Sequence, residues 1–172
     1  MSVCMETTSV PRWGIEARAL TDAGRTVTVL SFGGAAEARA RVLVAGFAGR
    51  RVSWLRMPPG WTAGAEAVLG RELAAARVGW RLVLVGDEVT VLQARALATA
   101  AGALDQEILS DVVGTDLRRV YCAHCHQVHA TDSAPGERCT CLTCGATLVV
   151  YHHVSRRHGA YLGYMCDAEE RP

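Results

Sequence analysis

The strongest constraint in this chain is a spacing. Cys122-x-x-Cys125 and Cys141-x-x-Cys144 are separated by fifteen residues. Two thiolates at i and i+3 on a tight turn reach one ion, and two such turns complete a tetrahedral S₄ shell. A segment of about fifty residues buries too small a core to fold without such a staple. Gly145 follows the second pair and lets the chain turn tightly. Cys122, Cys125, Cys141 and Cys144 are therefore the expected metal ligands. Cys139 is a fifth thiol nearby, set aside because Cys141 and Cys144 preserve the two-residue gap. His124, His126 and His129 crowd the first pair and are expected to stand around the site. Cys4 and Cys166 stand alone.

Zinc is favoured on ligand grounds, because His126 stands where iron knuckles carry glycine. A rubredoxin-like iron site is the alternative. A closed S₄ shell leaves no open position, so the metal is expected to stabilise folding, and no catalytic residue is assigned.

The rest of the composition divides at the same place. All six histidines lie between His124 and His158, and all four tryptophans lie at or before Trp80. The expected organisation is a disordered lead-in over 1–11, an α/β domain over 12–117 and a metal-binding domain over 118–172. Eighteen arginines stand against seventeen carboxylates, with no lysine. That near balance argues against broad binding of nucleic acid or membrane. No apolar run reaches the ~18 residues a membrane span needs. The N-terminus lacks the pattern of a secretory signal, so a reducing, cytoplasmic setting is expected.

Residues 12–117 read as strands alternating with helices. Strands are expected at Thr26–Phe32, Arg51–Arg56, Trp80–Gly86 and Glu107–Val113, with an edge strand at Arg12–Leu20. Helices are expected at Ala35–Phe47, Gly64–Val78 and Glu88–Ala101, the last capped by Asp87 and stopped at Gly102. Such alternation indicates a small parallel, Rossmann-like sheet. Gly33, Gly34 and Gly86 sit at strand-to-helix turns and are the candidates for cofactor binding, although the GxGxxG fingerprint is absent.

In the last third, strands are expected at Arg118–Tyr121, Thr147–Val154 and Ala160–Met165, the outline of a three-stranded zinc ribbon. The hairpin tip formed by the last two carries His152, His153, Arg156, Arg157 and His158. Its bland reading is an exposed turn. Its sharper reading is a partner-docking surface, where arginine pairs with carboxylate or phosphate.

Two resemblances add to these readings. The stretch LVLVGDEVTVLQARALATAAGALDQEI resembles the last strand–helix unit of ferredoxin-reductase-type NAD(P)-binding domains, with Gly86, Gly102 and Ile108 matching. Val85-Gly86-Asp87 replaces the usual Cys-Gly-Pro. The runs YCAHCH from Tyr121, CLTCG from Cys141 and LVVYHHVSRRHGAYLGYMCDAE resemble the small, DmmA-type subunit of bacterial dimethylamine monooxygenase over residues 118–170. That resemblance implies an accessory subunit of an enzyme that demethylates dimethylamine to methylamine and formaldehyde with O₂ and NADPH. It also implies haem on an oxygenase partner, and flavin with a 2Fe–2S cluster on a reductase partner. A rubredoxin-like electron carrier and a zinc-ribbon nucleic-acid module are the competing functions.

Overall fold

A computed structural model describes residues 8–14 and 24–166. The chain divides into two compact units. One spans Trp13–Thr115, and the other runs from Asp116 onward together with the described residues before Trp13.

The first unit is built on a four-stranded parallel sheet. Its strands are β1 (Thr26–Phe32), β2 (Arg51–Met57), β3 (Trp80–Asp87) and β4 (Ile108–Gly114), in the order β2-β1-β3-β4. Helices α1 (Gly34–Gly46), α2 (Ala63–Ala75) and α3 (Glu88–Ala100) make the connections. β1 and β3 lie in the centre and are almost wholly buried, which explains their continuous apolar runs. Alternate side chains serve opposite faces. Val27, Val29, Val83 and Val85 pack with Ala36, Ala40, Leu43 and Phe47 of the α1 segment. Leu30, Phe32, Leu82 and Leu84 pack with Ala65 and Leu69 of α2 and Val91, Ala94 and Ala98 of α3.

Polar groups in this core are satisfied. The Trp80 indole N–H donates to Thr28 Oγ1 at 3.0 Å, and the Thr28 hydroxyl donates to Glu72 Oε2 at 2.9 Å. Asp111 is 5% exposed, and its Oδ2 accepts from Arg39 Nη2 at 2.7 Å and Nε at 3.0 Å. The carboxylate raises the pKa of Arg39, first through the hydrogen bond. This ion pair ties α1 to β4.

Helix ends follow their local chemistry. Asp87 caps α3, its Oδ1 accepting from the Thr90 N–H at 2.9 Å and its Oδ2 from the Thr90 hydroxyl at 2.7 Å. Past α3, the Gly102 and Ala103 N–H groups donate to Thr99 and Ala98 carbonyls around the positive φ of Gly102. α2 ends at Ala75, three residues before the expected Val78. Ala76 takes an extended ψ, and Val78 lies fully in solvent on the approach to β3. Of the edge strand expected at Arg12–Leu20, residues 15–20 lie outside the described residues.

The second unit is a five-stranded mixed sheet rather than a three-stranded one. Besides β5 (Arg118–Cys122), β8 (Thr147–Ser155) and β9 (Ala160–Met165) it contains β6 (Val128–Thr131) and β7 (Arg138–Thr140), in the order β6-β5-β9-β8-β7. β5 and β9 run parallel and the other pairs antiparallel. The two added strands have four and three residues, too few to show an alternation in sequence. Val120, Cys122, Leu148, Val150, Val154 and Tyr161 point into the core. Gly163 faces the same way, because a Cβ there would lie 2.7 Å from Val120 Cγ1 and 3.0 Å from Leu148 Cδ1. The lead-in expected to be disordered over 1–11 is described only from Thr8. There the Ser9 Oγ accepts from the Val154 N–H at 2.9 Å, so this part is bonded to β8.

Candidate metal centre

The four expected ligands converge. The Sγ atoms of Cys122, Cys125, Cys141 and Cys144 all lie within 4.8 Å of one another. Closest approaches run between the two turns: Cys125 to Cys141 at 3.6 Å and Cys122 to Cys144 at 3.9 Å. A tetrahedral ion with Zn–S near 2.3 Å holds its sulfurs about 3.8 Å apart. The quartet matches one ion. A two-iron cluster shares four thiolates between two metals and pushes the two pairs apart, which suits this quartet poorly.

Two similar turns create this geometry. In the first, the His126 N–H donates to the Cys122 carbonyl at 2.9 Å, and the Cys122 N–H donates to the Gln127 carbonyl at 2.9 Å. In the second, the Gly145 N–H donates to the Cys141 carbonyl at 3.0 Å, and the Cys141 N–H donates to the Ala146 carbonyl at 2.9 Å. Position by position, His126 corresponds to Gly145. Both take a left-handed backbone, with φ of 62° and 71°. Glycine adopts this freely, whereas histidine is strained there.

The electrostatics favour a cation. Cys141 is held at about 6; burial opposes its ionisation, and the N–H groups of Cys144 and Thr143 with the neighbouring thiols overcome it. Cys125 is pushed up to about 12; the Gln127 N–H favours its thiolate, but burial and the thiols of Cys141, Cys122 and Cys144 outweigh that. Cys144 is raised as well, the Ala146 N–H being outweighed by burial and neighbouring thiols. One thiolate is stabilised, and Cys125 and Cys144 then resist ionisation. A divalent ion removes that conflict by deprotonating all its thiol ligands.

Cys139 lies outside the quartet. Its Sγ is 3.9 Å from His129 Nε2 on β6, across the inward side of the sheet. Burial raises the Cys139 thiol and lowers the His129 imidazole. His129 Nδ1 is buried with no hydrogen-bond partner among the described residues. Cys4 lies outside the described residues, and Cys166 is exposed.

The histidines and arginines of the β8–β9 hairpin separate. His153, Arg156 and Arg157 are exposed, and His152 is half-buried near Gly136. His158 stacks on Tyr121, with ring centroids 4.0 Å apart and planes 13° from parallel. The His126 ring lies 5.9 Å from Tyr121 and 8° from parallel. Neither the stack nor the role of Tyr121 was legible from periodicity. Aligning the two Cys-x-x-Cys turns, which sets His126 against Gly145, is the signal that points to it.

The candidate cofactor residues of the first unit sit where the strand order reverses, at the ends of β1 and β3. The Gly33 N–H already donates to the Met57 carbonyl at 2.9 Å, and Pro59 Cβ lies 3.1 Å from where a Gly33 Cβ would stand. Gly34 opens α1. At Gly86 a Cβ would lie 3.3 Å from the Phe32 ring, which itself meets Trp61. Asp87 and Glu88 occupy the next turn, and the Asp87 carboxylate is engaged in capping. These residues fit a dinucleotide phosphate poorly, since the turn presents carboxylates and packed rings.

Comparison with known proteins finds a likeness for the segment that carries the quartet. The family model for the dimethylamine monooxygenase subunit DmmA-like C-terminal domain matches residues 119–164. These residues are similar to that family. The matched residues cover β5 to β9 apart from Arg118 and Met165, together with all four cysteines of the quartet and the Tyr121 stack. A curated relative, the heme-dependent oxidative N-demethylase delta subunit of Ectopseudomonas mendocina (strain ymp), is 44% identical over 105 residues. The match covers 61% of this chain and 59% of the relative. The chain therefore spans about three fifths of that relative's length. No solved structure matches. Among the described residues, no helix is long and apolar enough to cross a membrane.

Proposed function

We propose that this chain is a non-catalytic subunit of a multisubunit oxidative N-demethylase, and that its DmmA-like domain is a metal-stapled assembly module. The observation that carries this reading is the tight cysteine quartet within a segment similar to the DmmA-like family. The similarity to a delta subunit supports partner subunits. On this reading Cys122, Cys125, Cys141 and Cys144 hold one Zn²⁺, whose role is to fix the two turns and the strands that follow them. The first unit is a Rossmann-like scaffold without a bound nucleotide, and the second is a five-stranded elaboration of a zinc ribbon.

The reaction assigned to the assembly is O₂- and NADPH-dependent removal of a methyl group from dimethylamine, giving methylamine and formaldehyde. Haem belongs to an oxygenase partner, and flavin with a 2Fe–2S cluster to a reductase partner. The exposed imidazole and guanidinium groups of His153, Arg156 and Arg157 suit contact with partners, and the protein acts in the cytoplasm.

Co-expression with the redox subunits of its own operon tests this. Co-elution with one zinc per chain is the expected result. A chain that stays monomeric when mixed with those subunits overturns it. A rubredoxin-like electron carrier is the second reading, favoured by the same single-ion geometry. It requires one iron per chain and visible thiolate-to-iron absorption, which a colourless zinc protein lacks.

A further inference from the structure

The strands of the second unit have a side that the metal centre does not use. Strand register identifies it. Tyr121 of β5 pairs with Leu162 of β9 and Val128 of β6, so these three share a face, and Tyr164 lies two residues farther along β9 on the same face. Val149 of β8 pairs with Tyr164 and with Arg138 of β7, which extends the face across all five strands. Arg119 and Tyr121, both half-buried, occupy its outward positions with the exposed Arg138 and Tyr164, and Tyr151 joins them through its contact with Tyr164. Three tyrosines and two arginines stand there, and no described residue of the face adds a carboxylate.

Two aromatic groups mark this face. Tyr151 and Tyr164 are 55% and 46% exposed and meet edge to face at 5.6 Å. On β5, Tyr121 carries His158 on one side and His126 near it. His126 marks the same face in another way. It holds a left-handed backbone that its counterpart Gly145 adopts without strain. Strain kept at an exposed site marks a side chain retained for what it contacts. Tyrosine and arginine are also the residues enriched where protein interfaces concentrate their binding energy.

We propose that the outward face of the second sheet, from the His126–Tyr121–His158 stack to the Tyr151–Tyr164 pair, docks a carboxylate-bearing surface of a partner protein subunit. The proposal rests on the reading of this chain as a subunit of a larger enzyme and deepens it by naming the surface and the charge of its partner. Charge complementarity chooses the occupant. A second copy of the same face would set Arg119 and Arg138 against their own kind. A nucleic acid asks for a denser array of cations than two arginines among three phenols. Because His126 follows Cys125, such docking brings the partner against the first metal turn.

The test is a binding titration of the purified, metal-loaded full chain with the purified redox subunits of its operon. Tyr151→Ser with Tyr164→Ser should weaken binding about tenfold or more. Arg138→Glu should weaken it most at low salt, with the loss shrinking as salt rises. His126→Gly should also weaken binding while leaving metal content and melting temperature no lower than wild type. If wild type binds and all these variants bind equally well, the docking face is wrong and the subunit reading stands. If wild type binds none of the subunits, the subunit reading fails and takes this occupant with it. A His126→Gly variant that melts lower and binds normally makes the ring structural and overturns its role. Variants that instead abolish self-association, or salt-dependent binding of a single-stranded oligonucleotide, overturn the choice of partner.

Discussion

Cys125 and Cys141 hold their sulfurs 3.6 Å apart across sixteen residues of chain. The first belongs to the turn after β5 and the second to the turn after β7, so this contact joins two hairpins of one sheet. An ion between them bonds to both hairpins at once, and its binding energy is folding energy. Cys122→Ser and Cys144→Ser should therefore lose the metal and unfold the second unit. Cys139→Ser should keep one metal per chain. Metal content by elemental analysis, with the melting curve of each variant, checks both outcomes.

The α-helices of the described chain all lie in the first unit. Removing the metal with a chelator should abolish the fixed environment of Tyr121, Tyr151, Tyr161 and Tyr164, all in the second unit. It should leave the helical circular dichroism largely in place. Loss of the helical signal in step with the tyrosine signal would contradict independent folding of the two units.

Arg39 neutralises the buried Asp111, so truncating either partner should not be equivalent. Arg39→Ala leaves an uncompensated carboxylate and should cost about 1–3 kcal/mol of stability. The double variant Arg39→Ala with Asp111→Ala should cost less than the sum of the single changes, because the orphaned charge is gone. Denaturant unfolding of the four proteins provides the cycle.

Burial lowers the pKa of His129 below its ordinary value near 6.5. At neutral pH both folded and unfolded chains keep it uncharged. As pH falls through 6.5 the unfolded chain takes up a proton first, so the folded state loses stability until its own, lower pKa is reached. His129→Leu should flatten the decline in melting temperature between pH 7 and 5.5. An unchanged slope would exclude this imidazole as the source.

Gly163 has no room for a methyl group, since a Cβ added there would meet Val120 Cγ1 at 2.7 Å and the Tyr121 carbonyl oxygen at 3.3 Å. Gly163→Ala should destabilise the second unit by about 1–3 kcal/mol. Val120→Ala in the same chain should recover part of the loss, as read by the second unit's melting transition.

Long, strongly patterned elements were legible in the sequence. β1 and β3 are apolar throughout because both faces are covered, and α3 announces its ends with Asp87 and Gly102. The ligand quartet was legible because two-residue gaps encode a turn directly. β6 and β7 were not, since their pairing is set by the neighbouring strands rather than by their own residues. Nor was the meeting of Tyr121 with His158, which are thirty-seven residues apart in sequence and depend on the parallel pairing of β5 and β9. The end of α2 was misplaced because Ala76, Arg77 and Val78 continue a helical composition while the chain is already turning towards Gly79.

The strand order carries a consequence for how the second unit is made. β9 is the last of the described strands in sequence, yet it lies in the middle of the sheet, between β5 and β8. Until it arrives, β5–β6 and β7–β8 are separate hairpins with no backbone bond between them among the described pairings. All four thiols have already been synthesised by then. During translation the ion can clasp the two hairpins first, holding open a slot of one strand's width into which Ala160–Met165 inserts. A nascent chain that lacked such an ion would present two unpaired sheet edges at that moment, an exposure that invites aggregation.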